Sequence, residues 1–243
     1  MNHCAGCGRE CLHKLCMRKI PVFSSLDREE LEHVSATVQH RMYGKGETVA
    51  KEGDRLDALY IVRSGSVKAF KLTPDGREQI LFVFSEGDFF GERNLFGGRP
   101  APYTVEALEP CGVCLITREH WNDVLRAHPE IAVKIIEELG GRMERMENAL
   151  QSMGVRNLDG RIGMLLLEFA EKYGSAVPEG TLIRLPLSRE GIANYLGVAR
   201  ETVSRKLGQL EDEGVIRSVS GKSILLLDRN ALAAAAGKNE TDR

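Results

Sequence analysis

The stretch SREGIANYLGVARETVSRKLGQLE, at residues 188–211, decides the fold of the C-terminal part of the chain. Ser188 is a preferred helix-capping residue and Gly197 permits a tight turn, so the stretch predicts two helices joined by a turn. Apolar residues recur at helical spacing on one face of each helix: Ile192, Ala193 and Leu196 in the first, and Val203, Leu207 and Leu210 in the second. Two short helices packed through such faces are typical of a helix-turn-helix motif.

The second helix carries polar side chains on its other face, close to its N-terminus. These are Arg200, Glu201, Ser204 and Arg205. Side chains at this end of a recognition helix reach base edges in the major groove, where arginine pairs with guanine and glutamate accepts from cytosine. Between residues 184 and 206 there are five basic residues and two acidic ones, which concentrates positive charge where phosphates would lie. We therefore predict that these four residues contact double-stranded DNA.

Patterns typical of short strands flank the helix-turn-helix. Thr181–Leu185 alternates polar and apolar residues, and Val215–Leu227 reads as a hairpin that turns at Ser220-Gly221-Lys222. Strands in these places predict a winged helix-turn-helix domain over residues 155–230. The last segment, 231–243, is rich in alanine and then polar, and it is predicted to be a fraying tail.

The part of the chain between residues 41 and 118 has a different character. Glycines recur there and separate apolar runs such as Leu59–Val62 and Ile80–Phe84. Val67–Leu72 alternates as a half-exposed strand should. Many short strands at regular spacing favour an antiparallel sandwich or roll. The predicted fold class is α+β, with the sensor roll at residues 26–126.

A long helix is predicted over residues 127–154, between the two domains. Apolar residues recur along it at spacings of three and four: Ile136, Leu139, Met143, Met146, Leu150 and Met153. This heptad seam predicts self-pairing into a homodimer, because the opposite face is heavily charged. The alternative is that the seam packs on the helix's own domain.

Composition excludes several classes of protein. The 243 residues are 42% hydrophobic and 28% charged with a net charge of −2, an ordinary globular balance without a general cationic field. No run of 18 uncharged apolar residues is present, so no membrane contact is predicted. The N-terminus lacks the apolar core of a signal peptide, so we expect a cytoplasmic protein. Common nucleophile and phosphate-loop motifs are missing, so no enzyme activity is expected.

Cysteines are concentrated in a leader, residues 1–25, that contains Cys4, Cys7, Cys11 and Cys16. Cys111 and Cys114 follow on a predicted strand, where their spacing of three places them on opposite faces. Such runs of thiolates bind iron–sulfur clusters, but they also suit a tetrahedral zinc site or a thiol–disulfide switch. The residues alone leave these possibilities open.

Three groups of residues together resemble the cyclic-AMP receptor/fumarate-nitrate regulator (CRP/FNR) family of bacterial transcription factors. They are Arg200–Arg205 with the preceding Ile192–Val198, Leu59–Val62 followed by Ser64-Gly65, and Gly87–Glu92. The resemblance covers roughly residues 18–230 and is closer to the oxygen-sensing branch. It implies a cyclic-nucleotide-binding-like β-roll (a double-stranded β-helix), a dimerisation helix and a winged helix-turn-helix, in a homodimer that is controlled by an effector and that works with RNA polymerase.

The resemblance also implies a palindromic DNA target. Glu201, Ser204 and Arg205 resemble the pattern of the oxygen-sensing branch, and Arg200 resembles the additional arginine of the cyclic-AMP branch. The expected half-sites are therefore TGTGA-like if Arg200 reads a base and TTGAT-like if it holds a phosphate.

For the cofactor, the resemblance implies a [4Fe–4S] cluster. Cys114 resembles the internal ligand of the oxygen-sensing branch, with Cys4, Cys7 and Cys16 as its expected partners and Cys11 as the substitute. Nucleotide-binding members use an Arg-Ser pair after a Gly-Glu pair, but after Gly91-Glu92 this chain reads RPAPYT at residues 99–104. Cyclic AMP is therefore not expected. Another effector in the roll, haem, zinc and a thiol switch remain the alternatives.

Overall fold

The structure, a computed structural model, describes Ile20, Phe23 and residues 26–155 and 158–236, without the side chains of residues 32, 33, 145 and 148–155. It divides into two compact units. The first takes in residues up to Lys71 and Phe82–Gly141, and the second takes in Leu72–Leu81 and residues from Arg142 onward. None of the helices in the described part is long and apolar enough to cross a membrane.

An antiparallel roll flanked by helices makes up most of the first unit. In chain order its elements are α1 (Arg28–Ala36), β1 (Gln39–Tyr43), β2 (Thr48–Ala50), β3 (Ala58–Ser64), β4 (Ser66–Leu72), β5 (Glu78–Ser85), β6 (Phe89–Phe90), α2 (Glu92–Gly97), β7 (Thr104–Ala107), β8 (Cys111–Thr117), α3 (Arg118–Ala127) and the start of α4 (Pro129–Val155). The residues of β4 and β5 between Leu72 and Leu81 are assigned to the second unit. The strands form two four-stranded sheets, in the orders β1-β8-β3-β6 and β2-β7-β4-β5. The predicted β-roll and fold class are confirmed.

Strand β8 separates two apolar cores because its side chains alternate between faces. Cys111, Val113 and Leu115 belong to the core inside the roll. Cys114 and Ile116 belong to a second core, which also contains Ile20, Phe23, Trp121, Ile131 and Ile135. The two cysteines therefore lie on opposite faces, as their spacing predicts.

Strand β4 differs from its prediction as a half-exposed strand. All residues from Ser66 to Phe70 are buried. β4 lies between β7 and β5, so neither of its edges is free. Lys68 is buried with its Nζ 3.2 Å from the Glu106 carboxylate and 4.6 Å from the centre of the Phe70 ring. A charged side chain tolerates this position because it is paired.

The second unit carries the helix-turn-helix. Its elements are α5 (Leu158–Tyr173), β9 (Gly174–Val177), β10 (Gly180–Arg184), α6 (Arg189–Leu196), α7 (Arg200–Asp212), β11 (Ile216–Ser220), β12 (Ser223–Leu226) and α8 (Arg229–Ala235). The Ser188 side chain caps α6, and Gly197 ends it with φ of 69°. The inner faces of α6 and α7 are buried as predicted, except that Leu210 is half-exposed.

The prediction of a fraying tail from residue 231 is wrong for its first part. Helix α8 covers this region, and the Asp228 carboxylate caps it by accepting the Ala231 N–H at 2.9 Å. Leu232 and Ala236 are fully buried. On α5, Gly163 makes room for them, because a Cβ at that position would lie 3.2 Å from the Ala236 Cβ. The alanine-rich composition therefore reflects close helix packing rather than disorder.

Candidate DNA interface and sensor site

The N-terminus of α7 presents the predicted base-reading residues. Arg200, Glu201 and Arg205 are exposed, and Ser204 is half-buried. The helix begins after Ala199, which provides no side-chain cap, so the first-turn N–H groups have no side-chain acceptor at the cap position. A helix N-terminus with free donors and exposed arginines attracts phosphate groups as well as bases.

The basic side chains of α7 differ in whether an acidic side chain already pairs with them. Arg200 and Arg205 form no ion pair with any described residue, whereas the Lys206 Nζ lies 2.7 Å from the Asp159 carboxylate on α5. The Lys206 ammonium also donates to the Gln209 side-chain oxygen at 3.2 Å. Lys206 therefore stabilises contact between α7 and α5, and counting it with the DNA-facing charge overestimates that charge.

The β11–β12 hairpin supplies a further cation that the site prediction did not include. Lys222 is exposed at the turn, beside Ser220 and Gly221. Its backbone carbonyl accepts the Leu185 N–H at 2.8 Å, which ties the turn to the end of β10. The predicted turn at Ser220-Gly221-Lys222 could have identified Lys222 as a DNA contact. An exposed lysine at the tip of a wing can reach the DNA backbone.

The first unit places Cys114 beside an imidazole. In the antiparallel pairing of β1 with β8, His40 lies directly opposite Cys114. The His40 Nδ1 is 3.2 Å from the Cys114 Sγ. Cys114 is only 1% exposed, and His40 is half-buried. The sequence gives no local signal for this pair, because it depends on strands that are 74 residues apart.

The other described cysteine has a different environment. Cys111 is fully buried inside the roll. Burial, followed by the nearby Glu109 and Glu47 carboxylates, raises the pKa of its thiol to about 11. At neutral pH this thiol stays protonated, and a protonated thiol is neither a nucleophile nor a metal ligand.

The remaining predicted site residues are only partly described. Cys4, Cys7, Cys11 and Cys16 lie outside the described residues. Within the part of the chain that the structure describes, no three Cys, His, Asp or Glu side chains come together to hold a metal ion. On α4, Ile136, Met143 and Met146 are 68%, 62% and 48% exposed, and Leu139 is half-buried against the Cys114 core. The side chains of Leu150 and Met153 lie outside the description.

Two family models match the two units. The cyclic nucleotide-binding domain matches residues 40–128, and the Crp-like helix-turn-helix domain matches residues 160–235. A CRP-like cAMP-activated global transcriptional regulator of Mycobacterium tuberculosis is 30% identical over 217 residues, covering 88% of this chain and 96% of that protein. The chain belongs to the CRP/FNR family. It is thus a DNA-binding transcription regulator, and the family consists of regulators rather than enzymes.

Both branches of the CRP/FNR family are represented among its relatives. The fumarate and nitrate reduction regulatory protein of Salmonella typhi is 30% identical over 236 residues, covering 97% of this chain and 90% of that protein. The solved structure of FixK2 from Bradyrhizobium japonicum is 29% identical, with a TM-score of 0.72, and covers 82% of this chain and 96% of that one. CRP/FNR regulators bind DNA as dimers.

In this CRP/FNR regulator, the segment after Gly91-Glu92 in the roll has few free backbone donors. Glu92 is buried at the start of α2, as a ribose-binding carboxylate would be. After it, Pro100 and Pro102 have no N–H, and the N–H of Ala101 donates to the Asp54 carbonyl at 2.8 Å. Residues 100–102 therefore offer no backbone donor to a phosphate.

The contrast between Arg205 and Lys206 gives a matched test of the DNA interface. We expect Arg205→Ala to weaken binding to a palindrome selected by the wild-type dimer and to flatten the preference at one guanine of each half-site. The discrimination lost should be about 1–3 kcal/mol, the usual worth of a bidentate arginine–guanine contact. Lys206→Ala removes a cation that Asp159 already holds, so it should leave the base preference intact. Fluorescence anisotropy on the palindrome and its single-base variants measures both effects, and equal base preference in Arg205→Ala and wild type would contradict the assignment.

Proposed function

We propose that this regulator is a homodimer whose DNA binding responds to oxygen, nitric oxide or redox state through a [4Fe–4S] cluster. Cys4, Cys7 and Cys16 with Cys114 would hold the cluster, and Cys11 is the substitute ligand. The observation that carries the proposal is the position of Cys114, which shares one core with Ile20 and Phe23, the two described residues of the leader.

The cysteine leader can reach Cys114 because the chain enters this core soon after the last leader cysteine. Ile20 is four positions after Cys16, and four residue steps of extended chain span at most about 14 Å. Ile20 is 2% exposed and Phe23 is fully buried, so the entry point is fixed.

The core that contains Cys114 also holds a buried N–H group that could donate a hydrogen bond to sulfur. The indole Nε1 of Trp121 is buried and has no hydrogen-bond partner among the described residues. A buried donor without an acceptor costs about 1–3 kcal/mol. Trp121 lies in the same core as Cys114, and its ring meets the edge of Phe23 with 6.1 Å between ring centres. Cluster sulfur or a leader carbonyl would supply the acceptor, and the cluster when bound would supply iron that reacts with oxygen or nitric oxide.

The core around Cys114 also anchors the start of the dimerisation helix. Ile131 is fully buried and Ile135 is 4% exposed, both in the core that contains Cys114. The adjacent turns of α4 expose Ile136 and Met143. A change in packing at Cys114 therefore acts on the turns of α4 that begin the seam, and the seam residue Leu139 itself packs against this core. This arrangement supports control of the dimer by the sensor core.

Replacing Cys114 and Cys111 one at a time distinguishes the proposed cluster ligand from a thiol that is not expected to bind iron. We expect Cys114→Ala to lose most of its iron and acid-labile sulfide after anaerobic reconstitution, because it removes a thiolate ligand. Cys111→Ala is the matched control, since its thiol lies on the other face of β8 and stays protonated. Iron and sulfide analysis with the visible spectrum gives the readout. Equal iron in Cys114→Ala and wild type would contradict the ligand assignment, and zinc without sulfide in the wild type would favour a zinc site.

The seam proposed for dimerisation is the line Ile136, Leu139, Met143, Met146, Leu150 and Met153. Three of its described side chains are about half exposed or more in a single chain, and they are large and apolar. Their burial against a second copy would remove apolar surface from water, which stabilises association. The Met-rich character suits an interface that can adjust its packing.

A charge in this seam is expected to dissociate the dimer. Met143→Glu would bury an unpaired carboxylate in the interface and should weaken dimerisation by a few kcal/mol, about 100-fold or more in the dissociation constant. Glu144→Gln alters the neighbouring exposed residue off the seam and should leave the dimer intact. Sedimentation velocity measures both variants. A tight Met143→Glu dimer with unchanged DNA affinity would show that the interface lies elsewhere.

A palindromic target with TGTGA- or TTGAT-like half-sites is part of the proposal, as is a contact with RNA polymerase at the promoter. The exposure of Arg200 at the first position of α7 supports a direct role for it on DNA. Selection from random DNA with the anaerobic dimer distinguishes the two half-sites.

A second candidate function is control by a nucleotide or another small effector in the roll. The match to the cyclic nucleotide-binding domain and the buried Glu92 favour it, and a relative named as cAMP-activated belongs to the same family. The engaged Ala101 N–H and the two flanking prolines count against a cyclic phosphate. Calorimetric titration with cyclic AMP gives the test, and the cluster proposal predicts no heat of binding.

A further inference from the structure

His40 lies directly opposite Cys114, with its imidazole within hydrogen-bond distance of the sulfur. The 3.2 Å separation joins the imidazole Nδ1 to the sulfur, and the two residues are direct partners in the β1–β8 register. Cys114 faces an apolar core whose strand residues include Leu59, Ile61 and Ile116. Aliphatic side chains offer no donor to a sulfur, whereas the imidazole of His40 on the neighbouring strand can donate one hydrogen bond.

We propose that His40 is a positioning residue that donates its Nδ1–H to the Cys114 sulfur and thereby sets the redox response of the sensor. This inference rests on the proposed function, because it concerns Cys114 as an iron ligand. His40 itself is not proposed as a ligand.

The chemistry of the pair follows from the state of the sulfur. A metal-bound thiolate carries no proton, so it can only accept a hydrogen bond. The Nδ1 must therefore carry hydrogen, in either the neutral Nδ1–H tautomer or the imidazolium. Hydrogen bonds to ligand sulfur reduce its electron donation to iron and favour the reduced state, which raises the reduction potential. His40 thus makes a bound cluster harder to oxidise.

The pairing also fixes the position of Cys114 before any cofactor binds. β8 is held on both sides, by β1 and β3, so the backbone of Cys114 cannot move away from that of His40. A donor held by a sheet keeps its geometry better than one on a loop, and such preorganised outer-sphere contacts tune metal sites.

Three variants test the inference on the full-length protein, reconstituted without oxygen. His40→Leu removes the donor at similar volume. His40→Asn returns an N–H donor to the place of Nδ1. Gln39→Leu changes the exposed neighbour on the same strand and is the control. Iron and sulfide content, circular dichroism, the midpoint potential in a mediated redox titration and the rate of bleaching in air are measured for each.

We expect His40→Leu to have a lower midpoint potential than wild type and to bleach in air about 10-fold faster, the usual scale of an outer-sphere effect. His40→Asn should recover most of both properties, and Gln39→Leu should match wild type. A purely structural role for His40 would alter loading and folding but would not produce a potential that returns with the asparagine donor.

Several results would overturn the proposed role of His40, and they can be distinguished from results that overturn the cluster proposal itself. A loaded His40→Leu with wild-type potential and bleaching rate overturns it, as does an equal shift in His40→Leu and His40→Asn. If His40→Leu takes up no iron, His40→Asn decides: wild-type loading and potential support the inference, and failure to load overturns it. If wild-type protein contains no iron and sulfide, the cluster proposal itself fails and this inference fails with it.

Discussion

The alternation of side chains along β8 is the constraint on which the sensor depends. β8 lies between β1 and β3, so its register is fixed on both edges. Because successive residues point to opposite faces, Cys111 must lie inside the roll when Cys114 lies in the other core. One thiol is therefore sealed in an apolar interior, where burial raises its pKa to about 11. The other lies in the core that also contains the two described leader residues and residues of the first turns of α4.

The same core links the proposed sensor to the proposed dimer interface without a long chain of intermediates. Ile131 and Ile135 are buried with Cys114, and Ile136 follows them on the exposed face of the same helix. Close-packed cores respond to small changes in volume by shifting their elements. In this account, the presence or loss of a group at Cys114 alters how the first turns of α4 pack, and so how the seam is presented to a second copy.

The sequence was sufficient where structure is determined locally. The helix-turn-helix followed from the Ser188 cap, the Gly197 turn and the inward apolar faces, and all of these depend on residues close together in the chain. The opposite faces of Cys111 and Cys114 followed from strand periodicity alone. Helix α8 was missed because its stability comes from tertiary packing beside Gly163, which the alanine-rich composition does not reveal.

Features that depend on distant strands could not be predicted. The burial of Lys68 requires its partner Glu106 on β7, and the contact of His40 with Cys114 requires the pairing of β1 with β8. The pairing of Lys206 with Asp159 likewise joins two helices, so charge counting along the sequence assigned this lysine to the DNA face. In each case, a residue's role is set by a partner whose position only the fold determines.

The measurement that tests the central claim most directly follows iron and DNA affinity together in one preparation. Protein purified without oxygen is exposed to air in steps, and iron, acid-labile sulfide and affinity for the selected palindrome are determined at each step. The account predicts iron and sulfide in equal amounts at the start, and a loss of affinity that parallels their loss. Affinity that stays constant while iron and sulfide disappear would contradict it.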